Sequence, residues 1–285
     1  EFHKRYYHPV NSYIYLYGNM DMEEKLAFLD EHYLSHFDYL DVDSVIQEQK
    51  AFGACQDVTL EYPVAENEGE EDNTYLSYNM VVGNAADSQM AMAFEVLDYA
   101  LLSAPGAPLK QALLDVKAGK DVYGSYDDGI LQPYFTVIAK GSNPDRKEEF
   151  VSVIRQVLGD IVKNGIDRKA VEAGINYFEF RYREADFSSY PKGLMYSLDI
   201  LGDWLYEKGN PFAQVQQLTV FEKLKKAVKE GYFEELIRKY LLENPHGCIM
   251  TLVPKKGLAA QREKELEEKL EAYRSSLSEE QLDAM

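Results

Sequence analysis

The chain has 285 residues, 46% of them hydrophobic and 28% charged, with a formal net charge of −19. That length allows one large domain or two ordinary ones with a proper core, while no run approaches the ~18–20 apolar residues of a membrane span. The acid excess has the wrong sign for holding nucleic-acid phosphates, and two cysteines, Cys55 and Cys248, make neither a disulfide framework nor a zinc cluster.

In chain order, "FHKRYYHP" reads as the end of a helix stopped at Pro9, and residues 13–17 as a short aromatic strand. Asp21 is a plausible N-cap for a helix over 22–34, with Leu26, Leu29, Tyr33 and Phe37 at helical spacing. Residues 38–56 are irregular. Strands are expected at 58–64 and 74–82, paired as a hairpin across the acidic tip "AENEGEEDN".

Met90, Ala93, Phe94, Leu97 and Leu101 mark one face of a helix over 88–102, which "SAPGAP" breaks. A shorter helix over 109–116 is followed by strands at 121–126 and 134–139 around "DDGILQP". Pro144 opens a helix that runs to Gly165, a good stop. Further helices are predicted at 167–183 and 193–206, and two between 217 and 242. Strands arriving in hairpin-like pairs favour α+β with an antiparallel sheet backed by helices over a doubly wound parallel one.

One long-range pattern organises the whole. Pro9, residues 12–17 and residues 22–34 are matched by Pro245, residues 248–253 and residues 258–270, each 236 positions later. Each copy is helix, proline stop, strand, turn, helix. The first copy is expected to close a domain whose body lies upstream of residue 1, and the absence of an initiating Met points the same way.

The stretch "FHKRYYHPVNSYIYLYGNMD" resembles a signature of the presequence-protease branch of the pitrilysin/insulinase (M16) zinc metallopeptidases. "LDYALLSAPGAPLKQAL", "INYFEFRYREADFSSYPKGL", "WLYEKGNP" and "YLLENPHGCIMTLVP" resemble further stretches of that branch, in the same order, to about residue 260. The resemblance implies a clamshell of four related LuxS/mitochondrial-processing-peptidase-like metallohydrolase domains. Residues 1–45 would be the strand–helix tail of the first, catalytic domain, and 46–257 the second, non-catalytic domain. Residues 258–285 would be the first arm of a helical hairpin, which the opposite charges of 261–274 at i,i+3 and i,i+4 suit.

In that family an inverted His-x-x-Glu-His helix holds zinc, with the Glu as general base on the metal-bound water. The resemblance places those ligands upstream of residue 1, so zinc is expected in the parent enzyme and none here. The five histidines, His3, His8, His32, His36 and His246, form neither that motif nor His-Glu-x-x-His. No catalytic or metal-binding residue is assigned, and no substrate-binding residue is named.

The nearest imitation is "DEHYLSH", with His32 and His36 four apart on a helix and Glu31 about 100° off the pair; a solvent-facing helix edge accounts for it better than a metal site. His8 and His246, beside prolines, read as capping or turn-packing groups. "GSYDDG" is a turn and lacks the strand and Lys-Ser/Thr of a phosphate loop. Glu179 with Arg183, and Arg181 with Glu184, read as ion pairs bracing a helix.

The leading expectation is therefore the non-catalytic portion of a zinc endopeptidase, lining a closed chamber for unfolded peptides. Its partners would be the remaining domains of the same polypeptide and peptide substrates, basic ones favoured by the acidic charge, with no nucleic acid and no membrane. The parent is expected in the cytoplasm if bacterial and in an organellar matrix if eukaryotic. The alternative is a metal-free structural or interaction module of the same superfamily. A third reading, an independent metal site at His32 and His36, is the weakest.

Overall fold

The structure, a computed structural model, describes residues 1–185, 187–206, 211–212 and 215–283; the motif over 204–211 thus lies partly outside the described residues. Its elements run α1 (Phe2–Tyr6), α2 (Met22–His32), β1 (Gln56–Val64), β2 (Thr74–Val81), α3 (Ser88–Asp98), α4 (Pro108–Asp115), β3 (Asp121–Asp127), β4 (Tyr134–Ser142) and α5 (Lys147–Asn164). They continue with α6 (Arg168–Glu184), α7 (Lys192–Trp204), α8 (Leu218–Ala227), α9 (Tyr232–Leu236), β5 (Gly247–Lys256), α10 (Leu258–Ser276) and α11 (Glu279–Asp283). Both α3 and α9 are prolonged by a wider π-helical turn, Tyr99–Ser103 and Ile237–Leu242.

Local chemistry explains several of the helix ends. The Asp21 carboxylate accepts from the Glu24 N–H at 3.1 Å to open α2, and Asp167 does the same for Lys169 at 2.9 Å to open α6. Gly165 ends α5 at φ +92°, a conformation that costs a residue with a Cβ. The apolar stripes also fall where their spacing puts them: Ala93, Phe94, Leu97 and Leu101 are fully buried, as are Phe150 and Ile154 of α5.

The five strands form one sheet in the order β1-β5-β2-β4-β3. Three of its four pairings are antiparallel, so the fold is α+β with a sheet backed by helices. Its inner face presents Leu76, Tyr78, Met80, Val122, Phe135, Val137 and Ala139 to α3, α4 and α5, with α6 and α8 packed in turn on α3, all within one buried cluster. The buried Tyr78 hydroxyl donates to the Leu241 carbonyl, as a buried phenol must. Among the described residues no helix is long and apolar enough to cross a membrane.

Two expectations are corrected. β1 and β2 are not a hairpin: β5 lies between them, parallel to β1 and antiparallel to β2. The reason lies in composition. β1 carries Gln56, Asp57, Thr59, Glu61 and Pro63, and it is largely exposed; a proline and several polar residues are tolerated at an edge and disfavoured in a central strand. β5, with Ile249, Met250, Leu252 and Val253, suits the more buried position.

The expected strand over 13–17 is extended chain without a ladder, so the first repeat copy retains its helices and loses its strand. A lone extended segment has no partner for its backbone groups. Its aromatic rings pack on α7 instead: Tyr13 lies edge-on to Trp204, ring centres 4.8 Å apart, and Tyr17 lies 5.9 Å from Tyr196.

Candidate functional site

Strand register divides the sheet into two unlike faces. The face turned away from the α3/α5/α6/α8 layer bears Val58 and Leu60 of β1, Met250 and Leu252 of β5, Tyr75, Ser77 and Asn79 of β2, and Thr136 and Ile138 of β4. Leu60 is 50% exposed and Tyr123 of β3, opposite Ile138, is 39% exposed. A largely apolar sheet face left open to solvent marks a surface that meets something else.

At one end this face deepens into a groove of about 470 Å³, lined by Asn79, Val81, Tyr134 and Cys248 from below and by Ile46, Gln49 and Phe52 from above. The overlying segment is strapped down by paired amides: the Gln49 N–H donates to the Gln132 side-chain oxygen at 2.7 Å, and the Gln132 amide nitrogen donates back to the Gln49 carbonyl at 3.1 Å. Phe52 stands edge-on to the buried His246, ring centres 4.8 Å apart. The Asn79 amide nitrogen donates to the Cys248 carbonyl at 2.9 Å and its oxygen accepts from the Thr136 hydroxyl, fixing the floor.

A second cleft, of about 450 Å³, opens on the helical side between α3, α6 and α7. Glu95, Asp128 and Asp199 line it, with Phe178, Tyr182, Phe187 and Tyr196 as walls and Arg181 as its one basic residue among the described ones. Burial pushes the Glu95 carboxyl up to about 7; Asp128 and Asp98 add to the rise and Arg181 opposes it. Burial likewise raises Asp128 and Asp199, although both keep contact with solvent at the cleft mouth. No sequence motif flagged these three carboxylates; the available signal was an acid set into an apolar helix face, as in "AFEVLDYALL" and "YSLDILG".

The singled-out histidines are not brought together. α2 ends at His32 and the backbone breaks at Tyr33, so His36 sits in a separate short turn and the expected helical spacing to His32 is lost. This corrects the reading of one helix carrying both; the cause is Tyr33, whose backbone leaves the helical region at φ −138°. The His32 ring packs on Phe28 at 4.6 Å. His8 Nδ1 accepts from the Val10 N–H at 3.2 Å, a capping role, and the imidazole meets the edge of Phe37.

Among the described residues no group of three or more His, Cys, Asp or Glu is arranged to hold a metal ion. Cys55 and Cys248 are free thiols, half buried, and burial raises both. Glu179 does pair with Arg183, at 2.7 Å, and Lys225 of α8 joins the same carboxylate; these partners, Lys225 first, lower its pKa. Arg181 leans instead over the Tyr177 ring, 5.7 Å from its centre.

Three comparisons locate this geometry among known proteins. The family model described as "Peptidase M16 inactive domain" matches residues 1–178. Protein HypA of Clostridium perfringens is 43% identical over 282 residues, covering 99% of this chain and 29% of that protein. Presequence protease 1, chloroplastic/mitochondrial, of Arabidopsis thaliana is 31% identical over 290 residues, covering 99% of this chain and 27% of that protein. The chain thus spans under a third of the length of these curated relatives. A protease from Helicobacter pylori shares the fold, with a TM-score of 0.67 at 15% identity over 89% of this chain and 57% of that one.

Proposed function

This chain belongs to the peptidase M16 inactive-domain family, and we propose that it is the non-catalytic portion of a zinc-dependent endopeptidase, forming one wall of a closed chamber that takes unfolded peptides. The observation that carries this reading is the open, largely apolar sheet face opposite the helical layer. An unfolded peptide offers side chains and free backbone groups that a folded protein keeps to itself, and an apolar wall favours the former. The relatives named presequence proteases support a peptide substrate.

In this reading residues 1–45 are the tail of a preceding catalytic domain, 46–257 the second domain and 258–285 the first arm of a linker hairpin. Zinc is held by the rest of the polypeptide, whose domains are the principal partners, and the chain by itself cleaves nothing. A bacterial parent would work in the cytoplasm and a eukaryotic one in an organellar matrix.

The net charge of −19 favours basic peptides by long-range attraction. For the complete polypeptide, KM for a basic unfolded peptide should therefore rise several-fold between low and ~0.5 M salt as the charges are screened, while KM for a neutral peptide stays level. Equal salt responses for the two peptides would contradict the electrostatic part of the proposal.

A further inference from the structure

The groove at the end of the open sheet face is chemically unlike the rest of the chain. Of all residues 28% are charged, yet among the described residues that line the groove there is no Asp, Glu, Lys or Arg. Ile46, Phe52, Val81, Ile130 and Leu131 supply much of its wall. Its volume, about 470 Å³, falls in the roughly 300–1,000 Å³ range of sites that enclose small organic groups.

The polar side chains on its floor and wall are engaged with protein partners. Gln132 spends both ends of its amide on the Gln49 backbone. Asn79 donates to Ser77 Oγ and to the Cys248 carbonyl, each at 2.9 Å, and its oxygen accepts from the Thr136 hydroxyl. The Tyr134 hydroxyl donates to Asp127 at 3.1 Å. A charged guest would give up its hydration without matching partners from these groups, whereas an apolar guest gains by leaving water.

Acids stand at the rim instead. Glu48 lies between Gln47 and Gln49 of the roof and accepts from the Asn84 side-chain amide, and Asp127 stands behind Tyr134. Lys50 is the one base on the roof segment 46–52. The floor also continues onto the open face: Asn79, Thr136 and Cys248 stand abreast, and Ser77, Ile138 and Met250 form the next rank. An extended chain on that face can set one side chain into the groove while its neighbours pass the acids.

We propose that this groove is a side-chain subsite for unfolded peptides, taking one bulky apolar residue, Phe or Leu, flanked by Lys or Arg. The subsite rests on the sheet face being the peptide-binding wall and adds what that wall selects. Apolar burial in the groove sets the preference for the central residue, and Glu48 and Asp127 set the preference for basic neighbours.

The test uses the complete polypeptide with zinc chelated, so that bound peptide is not cut, and short Lys-flanked unfolded peptides differing at one guest position. Dissociation constants from fluorescence anisotropy should be about tenfold lower for guest Phe or Leu than for guest Ala or Glu. Ile46→Ser combined with Ile130→Ser, at positions 62% and 43% exposed, should remove most of that preference with circular dichroism unchanged. Glu48→Gln should weaken the Lys-flanked Phe peptide by up to a few-fold and leave a Ser-flanked one unaffected. Benzoyl-phenylalanine at the guest position should attach, on irradiation, to groove residues such as Met80, Ile130 or Cys248. Equal affinity for all four guests, a preference untouched by the double variant, equal responses to Glu48→Gln, or attachment elsewhere would each overturn the subsite. A photoreactive residue at Leu60 reports on the wall separately. Labelling there without guest preference sinks the subsite alone, and no labelling there or in the groove sinks both.

Discussion

Phe94→Ala is expected to destabilise the chain by about 3–5 kcal/mol, the range for emptying a fully packed aromatic site. Phe94 has no exposed surface, and its ring meets three others: Tyr126 at 5.6 Å, Phe135 at 6.1 Å and Tyr240 at 5.9 Å. Those partners belong to β3, β4 and the π-helical turn after α9, so one ring of α3 joins the sheet to a second helical element. None of the three can slide into the space without leaving its own element, so collapse is poor and the cavity term stays near its maximum. Urea unfolding followed by far-UV circular dichroism checks this, with a lower midpoint at unchanged slope. A loss below about 1 kcal/mol would show that the site relaxes and that the ring cluster is not a keystone.

Gly247→Ala is the second large effect, about 1–3 kcal/mol and toward the upper end of that range for overpacking. Gly247 begins β5 opposite Met80. A Cβ there would lie 2.3 Å from Met80 Sδ and 2.6 Å from the Asn79 carbonyl oxygen. The methionine can swing aside, but the carbonyl belongs to the neighbouring strand and moves only if the ladder does. Asn79 also anchors the groove floor through the Cys248 carbonyl, so the substitution should loosen the groove as well as the sheet. A thermal melt within about 1 °C of the parent would contradict this, because 1 kcal/mol alone shifts a domain of this size by about 2–4 °C.

Much of the fold could be read from local pattern. The stripe Ala93, Phe94, Leu97 and Leu101, the Asp21 and Asp167 caps, the Gly165 stop and the β3–β4 hairpin are all short-range features, and each formed as its residues dictate. β5 was recognisable as a strand but not as the partner of β1, because Gln56 and Cys248 meet across 192 positions and nothing local records that pairing. Pro63 and the polar side chains of β1 were the available hint of an edge strand.

The open sheet face follows once the register is known, since alternation along each strand decides which residues share it. The acidic cleft was the least legible feature. Glu95, Asp128 and Asp199 come from a helix, a turn and another helix, and only the packing of α3 against α6 and α7 unites them. His32 and His36 misled in the opposite sense: spacing alone suggested a shared helix face, and Tyr33 removed it.

The central claim is that substrate meets the sheet face and not the helical layer. A photoreactive amino acid at Leu60, in the complete polypeptide with zinc-chelated enzyme and a radiolabelled unfolded peptide, tests it most directly. The enzyme should acquire label when the photoreactive residue stands at position 60 and not when it stands at Gln156, an exposed residue of α5 in the helical layer. Labelling through position 156 alone, or equal labelling through both, would contradict the claim.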